Sequence, residues 1–251
     1  MTTIAALVLT STVALAITRQ CKTYDSITDS GICYGTEGPD TLLGTQGPNV
    51  MIGKGGDDTL KGFGDTDGLQ GQEGSDKLFG GSGNDALSPG PGNDVSSGGA
   101  DADTYSFETN NWGKDTVNEL DTGNTVHFDV GTDLTIRLVS DPAQPEVRNK
   151  AGTSTVNWDG NVIDNVTSQS SGDDKIYGNA AANNIDSFAG GGDDEVFGRS
   201  GNDTINVADG AGGDFVDCGE NAGDYDVVVY DGPTQFSLGD LVTNCEDARP
   251  Q

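Results

Sequence analysis

Asp58, Asp67, Asp76, Asp85, Asp94 and Asp103 follow one another at nine-residue intervals, and Asp40 stands two intervals before the first of them, with Asn49 between. Asp174, Asp194, Asp203 and Asp214 recur later in the same local setting, Gly-x-Asp-x-apolar. Each closes a short glycine-rich segment. Glycine permits backbone angles closed to other residues, so main-chain carbonyls can turn toward a common point. A hard cation such as Ca²⁺ takes about six to eight oxygens from carboxylates and carbonyls. A glycine-rich turn ending in aspartate supplies both. Aspartate could instead only cap its turn through side-chain hydrogen bonds, but Asn or Ser would then serve nearly as often. In the unbroken run the position is Asp in every copy except the one with Asn49. The candidate metal ligands are therefore Asp40, Asp58, Asp67, Asp76, Asp85, Asp94, Asp103, Asp174, Asp194, Asp203 and Asp214.

Written in nines from Gly35, the chain reads GTEGPDTLL, GTQGPNVMI, GKGGDDTLK, GFGDTDGLQ, GQEGSDKLF, GGSGNDALS, PGPGNDVSS, GGADADTYS, without a gap from 35 to 106. The first position is Gly except at Pro89, and the fourth is Gly except at Asp65 and Asp101. The eighth holds Leu42, Met51, Leu60, Leu69, Leu78, Leu87, Ser96 and Tyr105. Gly113-x-Asp115-x-Val117 is a lone further copy. The second block carries Gly172-x-Asp174-x-Ile176, a degraded Ala181-x-Asn183-x-Ile185, Gly192-x-Asp194-x-Val196, Gly201-x-Asp203-x-Ile205 and Gly212-x-Asp214-x-Val216, with two-residue insertions in its register. Repeats that depart from the pattern, at Asn49, Asn183, Pro89 and Ser96, are expected to give weak or vacant sites.

This pattern, GGxGxDxUx with U apolar, resembles the haemolysin-type calcium-binding repeat of RTX proteins, over roughly 35–117 and 169–217. The passage DADTYSFETNNWGKDTV is similar to the way such arrays end. The segment VDCGENAGDYDVVVYD with its later NCED is similar to the tails of small exported bacterial proteins that carry them. The resemblance implies an all-β chain, a parallel β-roll (a right-handed β-solenoid), with Ca²⁺ ions stacked in its turns.

The residues lead to a compatible geometry. The x-U-x part of each repeat is a short strand, with U inward because strand side chains alternate. Two nonapeptides make a coil, and coils stack at about 4.8 Å. Aspartates two repeats apart, such as Asp58, Asp76 and Asp94, or Asp67, Asp85 and Asp103, then share one side of the stack, where an ion could bridge neighbours. With one apolar side chain per repeat, burial alone cannot offset the conformational entropy of ordering the chain. Metal-held aspartates would titrate below their ordinary range in the folded chain.

Composition agrees. Forty-one acidic and 12 basic residues give a net charge of −29. A nucleic-acid partner or an anionic membrane surface is not expected at this charge. Calcium ions are the expected partner, and a protein or glycan partner is left open. The apolar run from Ile4 to Ala16 ends in Ala14-Leu15-Ala16, which reads as a signal peptide over 1–16 rather than a membrane span. In an exported chain the four cysteines, Cys21, Cys33, Cys218 and Cys245, suggest disulfides. Three pairings are possible, and Cys21–Cys33 with Cys218–Cys245 closes the shortest loops. The expected division is a signal peptide over 1–16, an N-terminal cap over 17–34 and a first roll block over 35–117. A β-rich segment over 118–168 continues the roll as extra coils or a flanking sheet. A second block over 169–217 and a C-terminal cap over 218–251 complete it.

No H-E-x-x-H zinc-protease motif and no G-x-S-x-G elbow occurs, and His127 stands alone in TVHFDV, where a structural role is expected. Trp112 and Trp158 are expected to pack rather than bind. The expected function is a secreted, extracellular, non-enzymatic calcium-binding β-roll with calcium-dependent folding. The alternatives are an extracellular adhesion or matrix module and, less favoured, a polysaccharide-acting enzyme with its site in 118–168.

Overall fold

A computed structural model describes residues 17–21, 32–119, 121–138, 146–158, 163–187, 191–210, 212–219, 224–231 and 240–250. The expected signal peptide lies outside them. Among these residues there is no helix; strands alternate along the chain between a sheet of thirteen strands and one of eleven, except that Leu134–Arg137, Val147–Asn149 and Thr155–Trp158 follow one another in the first. The chain is a parallel β-solenoid, as the repeat predicts.

Its construction follows from the alternation within each repeat. In the strand Thr59–Gly64, Leu60 is fully buried while its neighbours Thr59 and Lys61 are not. Stacking at an 18-residue offset places like on like. In the first sheet Leu42, Leu60 and Leu78 pair in succession. In the second, Cys33, Met51, Leu69, Leu87 and Tyr105 do so. The second block stacks at 20 residues and keeps the same logic, with Ile176, Val196 and Val216 on one side and Ile185 and Ile205 on the other. Each apolar row lines one continuous core.

The strands of the first block are longer than x-U-x. Val50–Gly55, Thr59–Gly64, Gly68–Glu73, Lys77–Ser82 and Val95–Ala100 each run six residues. After a one-residue skip the ladder resumes in the next repeat's opening, as in Lys54↔Gln72. From the third repeat on, that second repeat position takes positive φ. Gly81 and Gly99 meet it freely, but Lys54, Phe63 and Gln72 adopt it at φ 87, 84 and 74°, a conformation costly for residues with a Cβ.

Residues between the blocks continue both sheets. Lys114–Val117 and Thr155–Trp158 pair in parallel in the first sheet, and Asn124–Phe128 and Ile163–Ser168 in the second. One hairpin-like excursion, Val147–Asn149, inserts antiparallel between Thr155–Trp158 and Leu134–Arg137. The core widens here to take aromatics. Phe107 stacks on Phe128 at 5.2 Å between centroids, with Trp112 tilted against both. Trp112 and Trp158 are buried, in agreement with packing roles. His127 sits on an outward-facing, half-buried position of its strand.

Both disulfides form near the solenoid's ends. Cys21, which continues the first strand of the first sheet, joins Cys33 in the first strand of the second. Cys218 joins Cys245 beside the last two rungs of the first sheet. Solenoids need their terminal repeats closed, and these bonds do so covalently.

One position breaks the apolar row. Ser96 stacks between Leu78 and Val117, 2% exposed, and its Oγ has no hydrogen-bond partner. A buried hydroxyl without a partner costs about 1–3 kcal/mol. Ser96→Ala is therefore expected to stabilise the calcium-saturated protein by about 1 kcal/mol, read as a raised urea midpoint at unchanged slope. A lowered midpoint would show that the hydroxyl has a role in the fold.

Candidate metal-binding turns

The repeat aspartates form vertical rows along the edges of the sheets. Each main-chain N–H at the aspartate position donates to Oδ1 of the aspartate one coil further on. In one row Asp40, Asp58, Asp76 and Asp94 donate to Asp58, Asp76, Asp94 and Asp115 at 2.7, 2.8, 2.7 and 2.9 Å. In the other Asn49, Asp67, Asp85 and Asp103 donate to Asp67, Asp85, Asp103 and Asn124 at 2.6, 2.7, 2.8 and 2.8 Å. The second block repeats this from Asp174 to Asp194 and on to Asp214, and from Asn183 to Asp203 and on to Asp226.

One carboxylate oxygen is thereby committed to holding coils together. The other is stranded. Oδ2 of Asp58, Asp67, Asp76, Asp85, Asp94, Asp103, Asp115 and Asp203 is buried without a hydrogen-bond partner. Buried carboxylate oxygens are rarely left in this state without a cation or donor.

The space beside them is set by the first glycine of each repeat. A Cβ on Gly53, Gly62, Gly71 or Gly80 would collide with Oδ2 of Asp58, Asp67, Asp76 or Asp85 respectively. It would also come within 2.8, 2.6, 2.5 and 2.7 Å of the carbonyl oxygens of Gly71, Gly80, Pro89 and Gly98 in the next coil. So carboxylate and carbonyl oxygens converge where only a hydrogen atom stands. Stranded carboxylate oxygens, neighbouring carbonyls and a glycine-cleared space are a donor set suited to a hard cation. Among the described residues, no three His, Cys, Asp or Glu side chains come together as a metal cluster. An ion here would draw on main-chain oxygens as well as aspartates.

The first coil of each block differs. Asp40 accepts from Ile17 N on Oδ1 and from Thr36 N and Oγ1 on Oδ2. Asp174 accepts from Leu134 N and from Ser168 Oγ. Both carboxylates have donors for each oxygen, as turn-capping residues do. In the same rows Asp194 and Asp214 receive an N–H on Oδ1 like the others.

For the protein atoms alone, burial is the first influence on these carboxylates, and it raises them from an ordinary 3.8 against the opposing effect of the hydrogen bonds they accept. Asp58, Asp67, Asp94 and Asp174 are pushed up to about 6. Asp76, Asp85, Asp103, Asp194, Asp203 and Asp214 rise to about 7. Asp115 rises to about 8. The sense is opposite to that expected of metal-held aspartates, because here desolvation and neighbouring carboxylates act with no cation to oppose them.

Three row members lie outside the predicted set. Asp115 was legible from Gly113-x-Asp115-x-Val117. Asp226 sits in Asp224-x-Asp226-x-Val228, the same form as Asp65-x-Asp67-x-Leu69. Asn124, in Gly123-Asn124-x-Val126, has the amide in place of the acid. Between the blocks one row loses its carboxylates, and Val156 pairs with Asp115. The other keeps one: Asp164, bulged between Ile163 and Asn165, accepts from Gly123 N on Oδ2 at 2.7 Å, and its Oδ1 is buried without a partner. Leu134 donates its N–H to Asp174 from the aspartate position itself.

The family model described as the RTX calcium-binding nonapeptide repeat, in four copies, matches residues 34–69, 61–96, 70–105, 170–187 and 188–216. A search of curated proteins returns no match. Among the described residues no helix is long and apolar enough to cross a membrane. The matched segments are the two regions in which stacked coils carry rows of buried aspartates, and these repeat blocks belong to the RTX calcium-binding nonapeptide repeat family.

Proposed function

We propose that this chain is a secreted calcium-binding β-roll without enzymatic activity, and that it folds when it meets calcium. The observation that carries the proposal is the row of buried Oδ2 atoms without partners, repeated coil after coil beside main-chain carbonyls. Bound Ca²⁺ would supply charge compensation and coordination to oxygens that otherwise destabilise the coil. Asp58, Asp67, Asp76, Asp85, Asp94, Asp103 and Asp203 are the residues of choice for this role. Asp194 and Asp214 follow by position, and Asp115 is added from the geometry. Asp40 and Asp174, with donors of their own, are the weakest candidates.

The same reading supports the division given above: caps at 17–34 and 218–251, calcium-dependent blocks at 35–117 and 169–217, and a joint at 118–168. The apolar replacements Leu134 and Val156 make one side of the joint a stretch cohering through its core. Two disulfides suit an oxidising compartment, which supports export. Extracellular calcium modules bind at about 10⁻⁴–10⁻³ M, so the chain would stay open at low calcium inside a cell and close outside it.

Circular dichroism tests the proposal. Purified chain in excess chelator at pH 7.5 is expected to be largely unstructured and to gain a β spectrum when millimolar calcium is added. A spectrum unchanged by calcium would contradict calcium-dependent folding.

The carboxylate shifts give a second expectation. In the metal-free roll the folded values are raised, so protonation favours folding. Its stability is greatest below the unfolded value of about 4 and is lost as pH rises through about 6–8. With calcium the folded carboxylates are held ionised, so the stabilisation that calcium adds is present above about 4 and lost as pH falls below it. In chelator, acidification from pH 7.5 to 5 should therefore increase β signal, whereas the stabilisation that calcium adds should shrink as pH is lowered toward 3, where the two preparations converge. The same pH profile with and without calcium would refute the electrostatic account.

A further inference from the structure

The last turn of the first block on the second-sheet side is built differently from those before it. At Gly80 the cleared space faces Asp85 Oδ2 and the carbonyl of Gly98, one coil on. At Gly98 the space is filled by the carboxylate of Asp103, and no carbonyl of the next coil is among its nearest neighbours. The residue that arrives there is Glu119, 21 positions along, the same offset that joins Asp103 to Asn124.

Glu119 is held firmly. Its Oε1 accepts from Gly98 N at 2.6 Å, from Gly99 N at 3.3 Å and from the Tyr105 hydroxyl. The side chain belongs to a residue 8% exposed, and its Oε2 is buried with no partner. Asp103, 1% exposed, has the same deficit at Oδ2. Two buried carboxylates thus converge on one glycine, each with one oxygen fixed by main-chain N–H groups and one oxygen unsatisfied. The ion pairs among the described residues, Lys150–Asp133, Lys175–Glu195 and Arg249–Asp247, involve neither.

We propose that Glu119 is a calcium ligand which, with Asp103, closes the first repeat block with a site of higher charge than the others. This rests on the calcium-binding reading of the rows and adds to it a residue outside the nonapeptide. The regular turns offer a carbonyl where this one offers a second carboxylate. Calcium affinity rises with the number of charged ligands, so this site fills ahead of its neighbours. Tyr105 is a positioning residue: its hydroxyl orients Oε1 and leaves Oε2 for the metal.

The test is titration of calcium alone into the decalcified full-length protein, in competition with a chromophoric chelator, for wild type, Glu119→Gln, Tyr105→Phe and Glu108→Gln. Gln keeps the Oε1 acceptor for Gly98, so the turn can still close. The expected result is that E119Q removes one ion from the count or weakens the tightest class at least tenfold. The remaining ions and the β spectrum at saturating calcium are retained. E108Q, at an exposed carboxylate, keeps the full count and the tightest affinity, whereas Y105F weakens the tightest class. An E119Q titration matching wild type in count and tightest affinity overturns the proposal. A second readout does not depend on the Glu119 variant folding. Terbium bound beside Tyr105 should be sensitised by tyrosine excitation from its first equivalent, and Y105F should lose that early signal; an undiminished early signal in Y105F overturns it. Wild type that binds no calcium would instead defeat the functional proposal as a whole.

Discussion

Each aspartate row turns on an unequal use of two oxygens. Oδ1 ties one coil to the next through a main-chain N–H, and that bond fixes where Oδ2 must go: into a dry space cleared by the first glycine of the repeat, beside a carbonyl from the next coil. A carboxylate that both cross-links coils and carries an unsatisfied buried charge makes the fold conditional. The hydrogen-bond ladder and the apolar rows are present in the protein alone. The compensating positive charge must come from elsewhere, because the chain brings only 12 basic residues against 41 acidic ones.

The apolar rows explain how the condition is confined. Leu42, Leu60 and Leu78, or Met51, Leu69 and Leu87, form continuous buried columns, yet each repeat contributes only one such side chain. Between the blocks the balance shifts. Leu134 and Val156 take over positions in one aspartate row, while Asp164 keeps a carboxylate in the other, and Phe107, Trp112, Phe128 and Trp158 enlarge the core. Cohesion there comes from packing rather than from paired charge. The disulfides at the two ends serve the coils that have a neighbour on one side only.

Much of this was legible in the sequence where the period is strict. An invariant nine-residue spacing determines which aspartates stack and which leucines meet, since every coil is a copy of the last. Legibility falls where the offset changes. Asp226 follows Asp203 by 23 residues and Asn124 follows Asp103 by 21, so a fixed period passes over them although their local Asp-x-U or Asn-x-U form is intact. The joint was readable as β-structure from its alternation, but not its antiparallel strand Val147–Asn149, because pairing direction is decided by the connection rather than by side-chain pattern. The six-residue strands were missed for a related reason: the added ladder runs through glycines and tolerates Lys54, Phe63 and Gln72 at positive φ, a backbone property without an apolar signature. Glu119 belongs to no repeat pattern, and only the stacking of coils brings it to Gly98.

The most direct test of the central claim is anomalous diffraction from crystals grown in calcium. The account predicts peaks within the turns between successive aspartates of a row, such as Asp58 and Asp76 or Asp67 and Asp85, and none beside Leu134 or Val156. A fully ordered roll whose aspartate turns contain no ion would contradict it.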